Sequence, residues 1–286
     1  MIYAKGGRQD EESIATHYDQ LDPFYRSVWG EHVHHGLWND SRETADAAQV
    51  NLVELVAEHL GLSAPGMTVC DIGCGYGGTA RRLAQRWGAQ TTGLTISKVQ
   101  HEYACAHSGG DGSSYLLRNW LVNELPGESF DGVVAIESIA HISDKARTFE
   151  EAARVLKPGG RLVTCDWFTS STPTQWQARH LIGPICREAR VPHLASGDEY
   201  RQLIEASGLR VVHSEDLSRR VQRTWATAIG RVGRGLLREP AMRRYLRDPQ
   251  SKDRAMAFAM LRIPLAYRLG CMQYELIAAE RPPSWA

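Results

Sequence analysis

No charge of one sign dominates this chain: among its 286 residues, Lys plus Arg number 33 and Asp plus Glu number 33. That balance removes the general electrostatic drive toward nucleic acid or an anionic membrane. No apolar run is long enough to span a bilayer, and the first residues contain no apolar signal region. A cytoplasmic protein is expected. There are no internal repeats and no low-complexity tracts. The cysteines (Cys70, Cys74, Cys105, Cys165, Cys186 and Cys271) never form C-x-x-C, and several fall in apolar runs. They read as buried free thiols in a reducing compartment, with no metal site implied.

What is present is a hydrophobic fraction of 43%, enough for a sizeable core. Residues 1–12 are polar, and a helix is expected from near Ser13. Residues 13–60 read as mostly helical, with NLVELVAEHLGL at helical spacing and Gly61 as its stop. From Thr68 the pattern changes to short apolar runs alternating with helices. MTVCDIG, AQTTGLT, SSYLLRN, FDGVVAIES and GRLVTCDWF read as strands. Helices are expected over Gly77–Trp87, Lys98–His107 and Thr148–Leu156, the last ended by KPGG. Such alternation predicts a doubly wound, mostly parallel sheet. LRVVHSEDL and CMQYELIAAE read as two late strands, antiparallel at one edge, giving seven in all. The expected units are an N-terminal helical cap (1–64), an α/β core (65–168), a helical lid (169–208) and a C-terminal part of the core with inserted lid helices (209–286). Ligands in such sheets bind at the carboxyl ends of the strands, beneath such lids.

The loop after the first strand reads CDIGCGYGG. Gly73, Gly75 and Gly78 complete G-x-G-x-x-G, the spacing that cradles a dinucleotide pyrophosphate. Asp71 argues otherwise, because a carboxylate at the strand end repels phosphates and suits a cation such as the ammonium of an amino acid. The second strand then ends in GLTIS, with Thr95 where a dinucleotide site places an acid for the ribose. Both departures count against a nicotinamide cofactor.

The aspartate, the glycines and the KPGG turn together resemble class I S-adenosylmethionine-dependent methyltransferases of the small-molecule type. The resemblance covers most of the chain and implies a Rossmann-like fold with S-adenosylmethionine as cofactor and S-adenosylhomocysteine as product. It assigns Asp71, Gly73, Cys74 and Gly75 to the methionine part of the cofactor. GLTISKVQ is similar to a segment shared by the tocopherol C-methyltransferase and cyclopropane fatty-acid synthase groups, which implies that Thr95, Ile96 and Gln100 serve the ribose and cofactor. Asn119 stands at the adenine-contacting position, where its amide oxygen could meet the adenine amino group. Trp120 matches an indole that lies against the adenine. HYDQLDPFYRSVWGEHVHHGLW resembles both groups: Tyr18 is implied near the methyl group, and His35 with Gly36 at the methionine carboxylate. No nearby Cys completes a zinc pattern around His32, His34 and His35, and Glu31 is the only adjacent carboxylate.

Methyl transfer from a sulfonium is an in-line displacement, and the protein supplies alignment and water exclusion. A base is needed only where the acceptor arrives protonated. In AIESIAHISD, Glu137 and His141 are four apart, so a helical turn would set both on one face. His141, Glu137 and Tyr18 are the candidate catalytic residues, Glu137 also contacting cofactor, with His141 alternatively a loop cap. Asp166 could orient the site. Phe24, Trp29, Trp167 and His180 are candidate acceptor contacts, and Ile182, Ile185, Trp176 and AMAFAML add apolar surface in the lids. From Arg219 to Arg247 there are nine arginines and one glutamate, read as a solvated helical face.

The expected function is methylation of a lipophilic small molecule, a specialised metabolite, with carbon favoured as acceptor atom and oxygen or nitrogen close behind. Alkene methylation through a carbocation, as in cyclopropane synthases, is one alternative, although His34-His35-Gly36 replaces their Tyr-Ser-Cys. A cofactor-binding cyclase that transfers no methyl is another. No Asn-Pro-Pro-Tyr-type motif points to nucleic acid. A homo-oligomer is compatible with the sequence.

Overall fold

The computed structural model describes residues 11–238 and 255–283. A seven-stranded sheet runs in the order β3-β2-β1-β4-β5-β7-β6. Its strands are β1 (Thr68–Ile72), β2 (Gln90–Thr95), β3 (Ser113–Leu117), β4 (Phe130–Ile136), β5 (Leu156–Thr169), β6 (Arg210–Asp216) and β7 (Met272–Glu280). β1 to β5 pair in parallel. β7 runs antiparallel to both β5 and β6 and lies between them. The two late strands thus form the antiparallel pair expected at one edge, with β6 outermost. β7 is inserted, and its near-continuous burial is that of an inner strand, with Tyr274, Leu276, Ile277 and Ala279 fully enclosed.

Before β1 come α1 (Glu11–Gln20), α2 (Asp22–Trp29) and α3 (Ala45–Leu60). The Thr44 hydroxyl caps α3 by accepting from Ala47 N, and Gly61 ends it with a left-handed φ of 70°. Leu52, Val53, Val56 and Leu60 pack α3 onto one face of the sheet. α4 (Gly78–Trp87) and α5 (Lys98–Ala106) follow β1 and β2. α6 (Lys145–Val155) starts three residues before the expected Thr148 because the Asp144 side chain caps it, accepting from Arg147 N. The opposite face carries Phe149 of α6 and Tyr200 and Ile204 of α9 (Gly197–Ala206).

The expected lid divides. α7 (Gln175–Gln177), a π-helical turn (Ala178–Ile182) and α8 (Gly183–Glu188) lie with α12 (Ala255–Arg268) on the α3 side, whereas α9 packs on the other face. α10 (Ser218–Val221) and α11 (Arg223–Arg238) return to the N-terminal helices. Arg231 meets Asp46 at 3.0 Å and Arg223 lies 4.3 Å from the Trp38 ring centroid. Arg220 donates to Asn39 Oδ1. These arginines tie α10 and α11 to the cap, while Arg219 and Arg234 are exposed, as a solvated face requires. Arg243, Arg244 and Arg247 lie outside the described residues, as do residues 1–10 and the side chains of 255–258 in AMAFAML.

Candidate functional site

The strand order reverses between β1 and β4, and a crevice opens at their carboxyl ends, where open α/β sheets take ligands. It holds about 1150 Å³ of open space. Asp71, Gly73, Cys74, Gly75, Thr95, Ile96, Gln100, Asn119, Trp120, Glu137, Tyr18 and His141 all line it. Sequence positions far apart are thus brought together.

Asp71, next to last in β1, is 3% exposed. Burial pushes its pKa up to about 7, against the lowering effect of the Ala80 backbone N–H. Its Oδ2 has no hydrogen-bond partner. A buried acceptor left open in a cleft fits an ammonium. Gly73 adopts φ 71°, and a Cβ there would stand 2.5 Å from Ser138 Cβ. The chain can therefore turn back toward the cleft only without a side chain. α4 begins beside it behind Gly77, which has no side chain to cap it; the Asp71 carboxylate meets the Ala80 N–H, and the Gly78 and Thr79 N–H groups ahead of it make an end suited to a carboxylate. Cation acceptor and open helix end together fit the two charges of an amino acid.

Further along, Gln100 Oε1 accepts from the Thr95 hydroxyl at 3.0 Å, which leaves the amide Nε2 as donor. Trp120 Nε1 donates to Thr148 O, so its indole is held as a wall. Asn119 Oδ1 already accepts from Leu121 N and caps the short helical turn that follows, so a ligand would share that oxygen with the chain.

Each residue of His17-Tyr18-Asp19 has its own tie. His17 Nε2 bonds the Tyr25 hydroxyl at 3.0 Å. Asp19 Oδ1 accepts from Ser97 Oγ and Val99 N, latching α1 to the start of α5. Tyr18 is left facing the cleft, its hydroxyl 3.1 Å from His141 Nε2. His141 Nδ1 lies 3.1 Å from the carbonyl oxygen of Arg190. A carbonyl only accepts, so Nδ1 carries the proton and Nε2 is the acceptor facing Tyr18. Arg190 has φ 56°, a left-handed conformation that turns its carbonyl to the ring. Burial pulls the His141 pKa down to about 4, and the Arg190 carbonyl opposes this. The imidazole is neutral at pH 7. Burial, with Glu137 and Asp166 behind it, pushes the Tyr18 phenol well above its usual range.

Glu137 takes another role than the one its spacing predicts. It is not on a helical turn with His141: its φ is 53°, and a short 3₁₀ turn starts only at Ile139. Its Oε1 accepts from His35 N, His35 Nδ1 and the Tyr274 hydroxyl, and its Oε2 from Trp167 Nε1. Burial alone would raise its pKa; His35, through its ring and its backbone N–H, with His34 nearby, holds it below the usual carboxylate range. A carboxylate so engaged anchors surrounding chain and is unsuited to proton transfer.

His35 is part of the same cluster and does not line the cleft. The Trp225 indole donates to its Nε2 at 2.6 Å, so Nδ1 carries the proton given to Glu137. His32, Val33 and His34 face the cleft in its place. His34 Nδ1 donates to His35 O, and His34 Nε2 accepts from His32 Nδ1 at 3.2 Å. Burial lowers His32 to about 3. Gln49 Nε2 holds the segment by donating to Trp29 O and His34 O.

None of the four acceptor-contact candidates lines the cleft. Phe24 packs against the core beside Tyr25. Trp29 meets Trp225 edge-on, and Trp167 is bound to Glu137. His180 is exposed beside the half-exposed Trp176. Ile182 and Ile185 are buried in the core. Asp166 lies beneath the cleft, accepting from Ala140 N, Trp167 N and Tyr200 Oη, with burial raising it to about 7. Sequence reading missed Trp225, Tyr274, Ser138 and the Arg190 carbonyl. Their partners are distant in the chain, and only the isolated Trp225 in an arginine-rich stretch hinted at burial.

The sequence profile of the mycolic acid cyclopropane synthetase family matches residues 6–230. A probable chloroplastic tocopherol O-methyltransferase of Oryza sativa subsp. japonica is 29% identical over 95% of this chain and 78% of its own length. The 27-O-demethylrifamycin SV methyltransferase of Amycolatopsis mediterranei is 34% identical over 76% of this chain and 81% of its own. Among solved structures, the [4+2]-cyclase SpnF superposes with a TM-score of 0.81 at 24% identity, covering 96% of this chain and 98% of that one.

Proposed function

We propose a specific reaction for this chain, which belongs to the mycolic acid cyclopropane synthetase family and to the S-adenosylmethionine-dependent methyltransferases: methylation of an electron-rich carbon on a lipophilic natural product, with loss of a proton to His141. S-adenosylmethionine supplies an electrophilic methyl group. Asp71 holds the ammonium of the cofactor and the open start of α4 its carboxylate. Gln100, Ile96 and Trp120 enclose the ribose and adenine, with Asn119 at the rim. Tyr18 and the neutral His141 stand at the acceptor end.

The observation that carries this reading is the Tyr18–His141 pair, with Nε2 bare of its own proton inside the cleft. A base with a pKa of about 4 is weak. It suits a proton that is itself acidic, and methylation of an aromatic or alkene carbon creates a cation with such a proton. Oxygen is the second reading, favoured by the O-methylating tocopherol and rifamycin relatives. A phenol would pass its proton through the same pair. Incubation with methyl-labelled cofactor and lipophilic hydroquinones, phenols and polyenes tests both. The carbon shift of the labelled product distinguishes a C-methyl from an O-methyl group. Cyclised product without label would sink both readings and leave the cyclase alternative.

A further inference from the structure

At the other end of the sheet from the cleft, the pairing of β6 with β7 slips by one residue. Val211 stands opposite Ala279, but His213, not Val212, stands opposite Ala278. Directly opposed residues in an antiparallel pair point to the same face. Ala278 belongs to the cluster that includes Leu52, Val56 and Leu60 of α3, and Ala279 to the cluster of the opposite face. The extra residue, Val212, is 41% exposed. The bulge it makes swings His213, and with it Glu215 opposite Leu276, onto the α3 side. An unbroken strand would have set Val212 there and turned both ligating side chains away.

What they meet is His59, in the last turn of α3. The His59 and His213 rings stack with centroids 4.3 Å apart and planes 20° from parallel. Glu215 Oε2 lies 3.8 Å from His213 Nε2. One ligand atom from each of His59, His213 and Glu215 can be chosen so that all lie within 4.8 Å of one another. His213 Nε2 is buried and has no hydrogen-bond partner. Arg220 lies against Glu215 Oε1 at 3.5 Å, so Oε2 is the oxygen turned to the imidazole.

We propose that His59, His213 and Glu215 form a binding site for a borderline divalent transition-metal ion, with Zn²⁺ as the representative, that pins the edge strand β6 to the end of α3. Two imidazoles and one carboxylate are a donor set for zinc, nickel or copper and unlike the all-oxygen shells of magnesium and calcium. Around tetrahedral zinc the ligand atoms stand roughly 3.3–3.5 Å apart, so closing the site takes side-chain movements of about an ångström. All three side chains are partly exposed and can make them. Water completes the coordination from the open side. Arg161, which donates to His59 O, and Arg220 flank the site. Their charge offsets part of the attraction, and the affinity expected is on the order of micromolar. His59 precedes β1 and Arg161 pairs with Gly132 near the start of β4, so the site lies at the amino ends of the parallel strands. Methyl transfer at their carboxyl ends does not involve it. Its effect falls on the edge of the sheet, where unpaired backbone invites fraying and association.

The test is calorimetric titration of chelator-stripped protein with ZnCl₂. One equivalent should bind, and the thermal midpoint should rise and fall back when EDTA is added. His59→Gln and His213→Gln should each weaken binding by at least about tenfold. Unchanged affinity for S-adenosylhomocysteine in both variants will establish that they are folded. Co²⁺ in place of Zn²⁺ should give visible absorption that disappears in the double variant. Full-affinity Zn²⁺ binding in the double variant overturns the proposal, because the ion would then sit on other histidines such as His32 and His34. So does the absence of saturable binding by wild type up to about 100 µM.

Discussion

A carboxyl group with one oxygen buried and open is held ready for a cation, and Asp71 is such a group. Its pKa of about 7 has a direct consequence for the cofactor. An ammonium binds the ionised form, so binding should expel a proton near neutrality, and affinity for S-adenosylhomocysteine should weaken as pH falls below about 7. Calorimetry in buffers of different ionisation enthalpy counts that proton; an affinity flat from pH 8 to 5 would contradict it. Gly73→Val adds a side chain where even a Cβ meets Ser138 at 2.5 Å, at a left-handed φ. Cofactor affinity should fall at least about tenfold, roughly 1.4 kcal/mol. His141→Ala should reduce turnover by about 10²–10⁴ with cofactor affinity nearly intact. Protonation of His141 removes the active form, so the acid limb of wild type belongs near pH 4, not at the ordinary imidazole value. Single-turnover rates against pH for both proteins decide this, and a limb unchanged in the variant excludes His141 as its origin.

At the scale of elements, the Glu137 cluster joins β4 to the His35 segment, β5 through Trp167 and β7 through Tyr274. Glu137→Gln replaces an all-acceptor carboxylate by an amide whose NH₂ faces other donors. Stability should drop by about 2 kcal/mol or more, as seen in the urea midpoint, because buried donors lose a charged acceptor. A loss confined to turnover, with stability intact, would return Glu137 to the chemical step. The elements themselves were legible because their signals are local. Thr44 and Gly61 bracket α3, and Asp71 with its glycines marks the turn after β1. The residues expected at the cofactor, His35 apart, line the cleft for the same reason, since one loop and one strand end supply most of them, whereas the expected acceptor contacts do not line it. His35, Trp167 and Trp225 share one cluster across 190 residues of separation. Nothing near His35 in the chain says that an indole will claim its Nε2. Spacing also misled at Glu137 and His141, because i,i+4 implies a shared face only where the backbone is helical, and Glu137 is left-handed.

For the whole molecule, the buried titratable groups around the cleft oppose one another. His32 and His141 are depressed to about 3 and about 4 in the folded state, so the stability they confer is present above pH 6.5 and is lost as pH falls through those values. Asp71 and Asp166 are raised to about 7, so theirs is present below about pH 4 and lost as pH rises to 7. Between pH 5 and 7 the two pairs act in opposite directions, and the urea midpoint of the cofactor-free protein should change little. Asp71→Asn removes one of the two carboxyls and tips the balance toward the histidines. That variant should be less stable at pH 5 than at pH 7, by on the order of 1 kcal/mol. Equal midpoints at the two pH values in the variant would contradict the assignment.

The position of β7 bears on how the molecule is made. Synthesis runs from the amino end, and both β5 and β6 are complete long before β7 exists. Until Met272–Glu280 leaves the ribosome, two strands that will flank it offer open hydrogen-bonding edges to whatever is near. Tyr274 then delivers its hydroxyl to Glu137 as the strand slots in. The nascent chain thus passes through an interval in which its sheet has a gap between β5 and β6 and Glu137 lacks the Tyr274 hydroxyl. Fragments stopped short of β7 are expected to aggregate through those open edges, which the share of pelleted protein on expression measures.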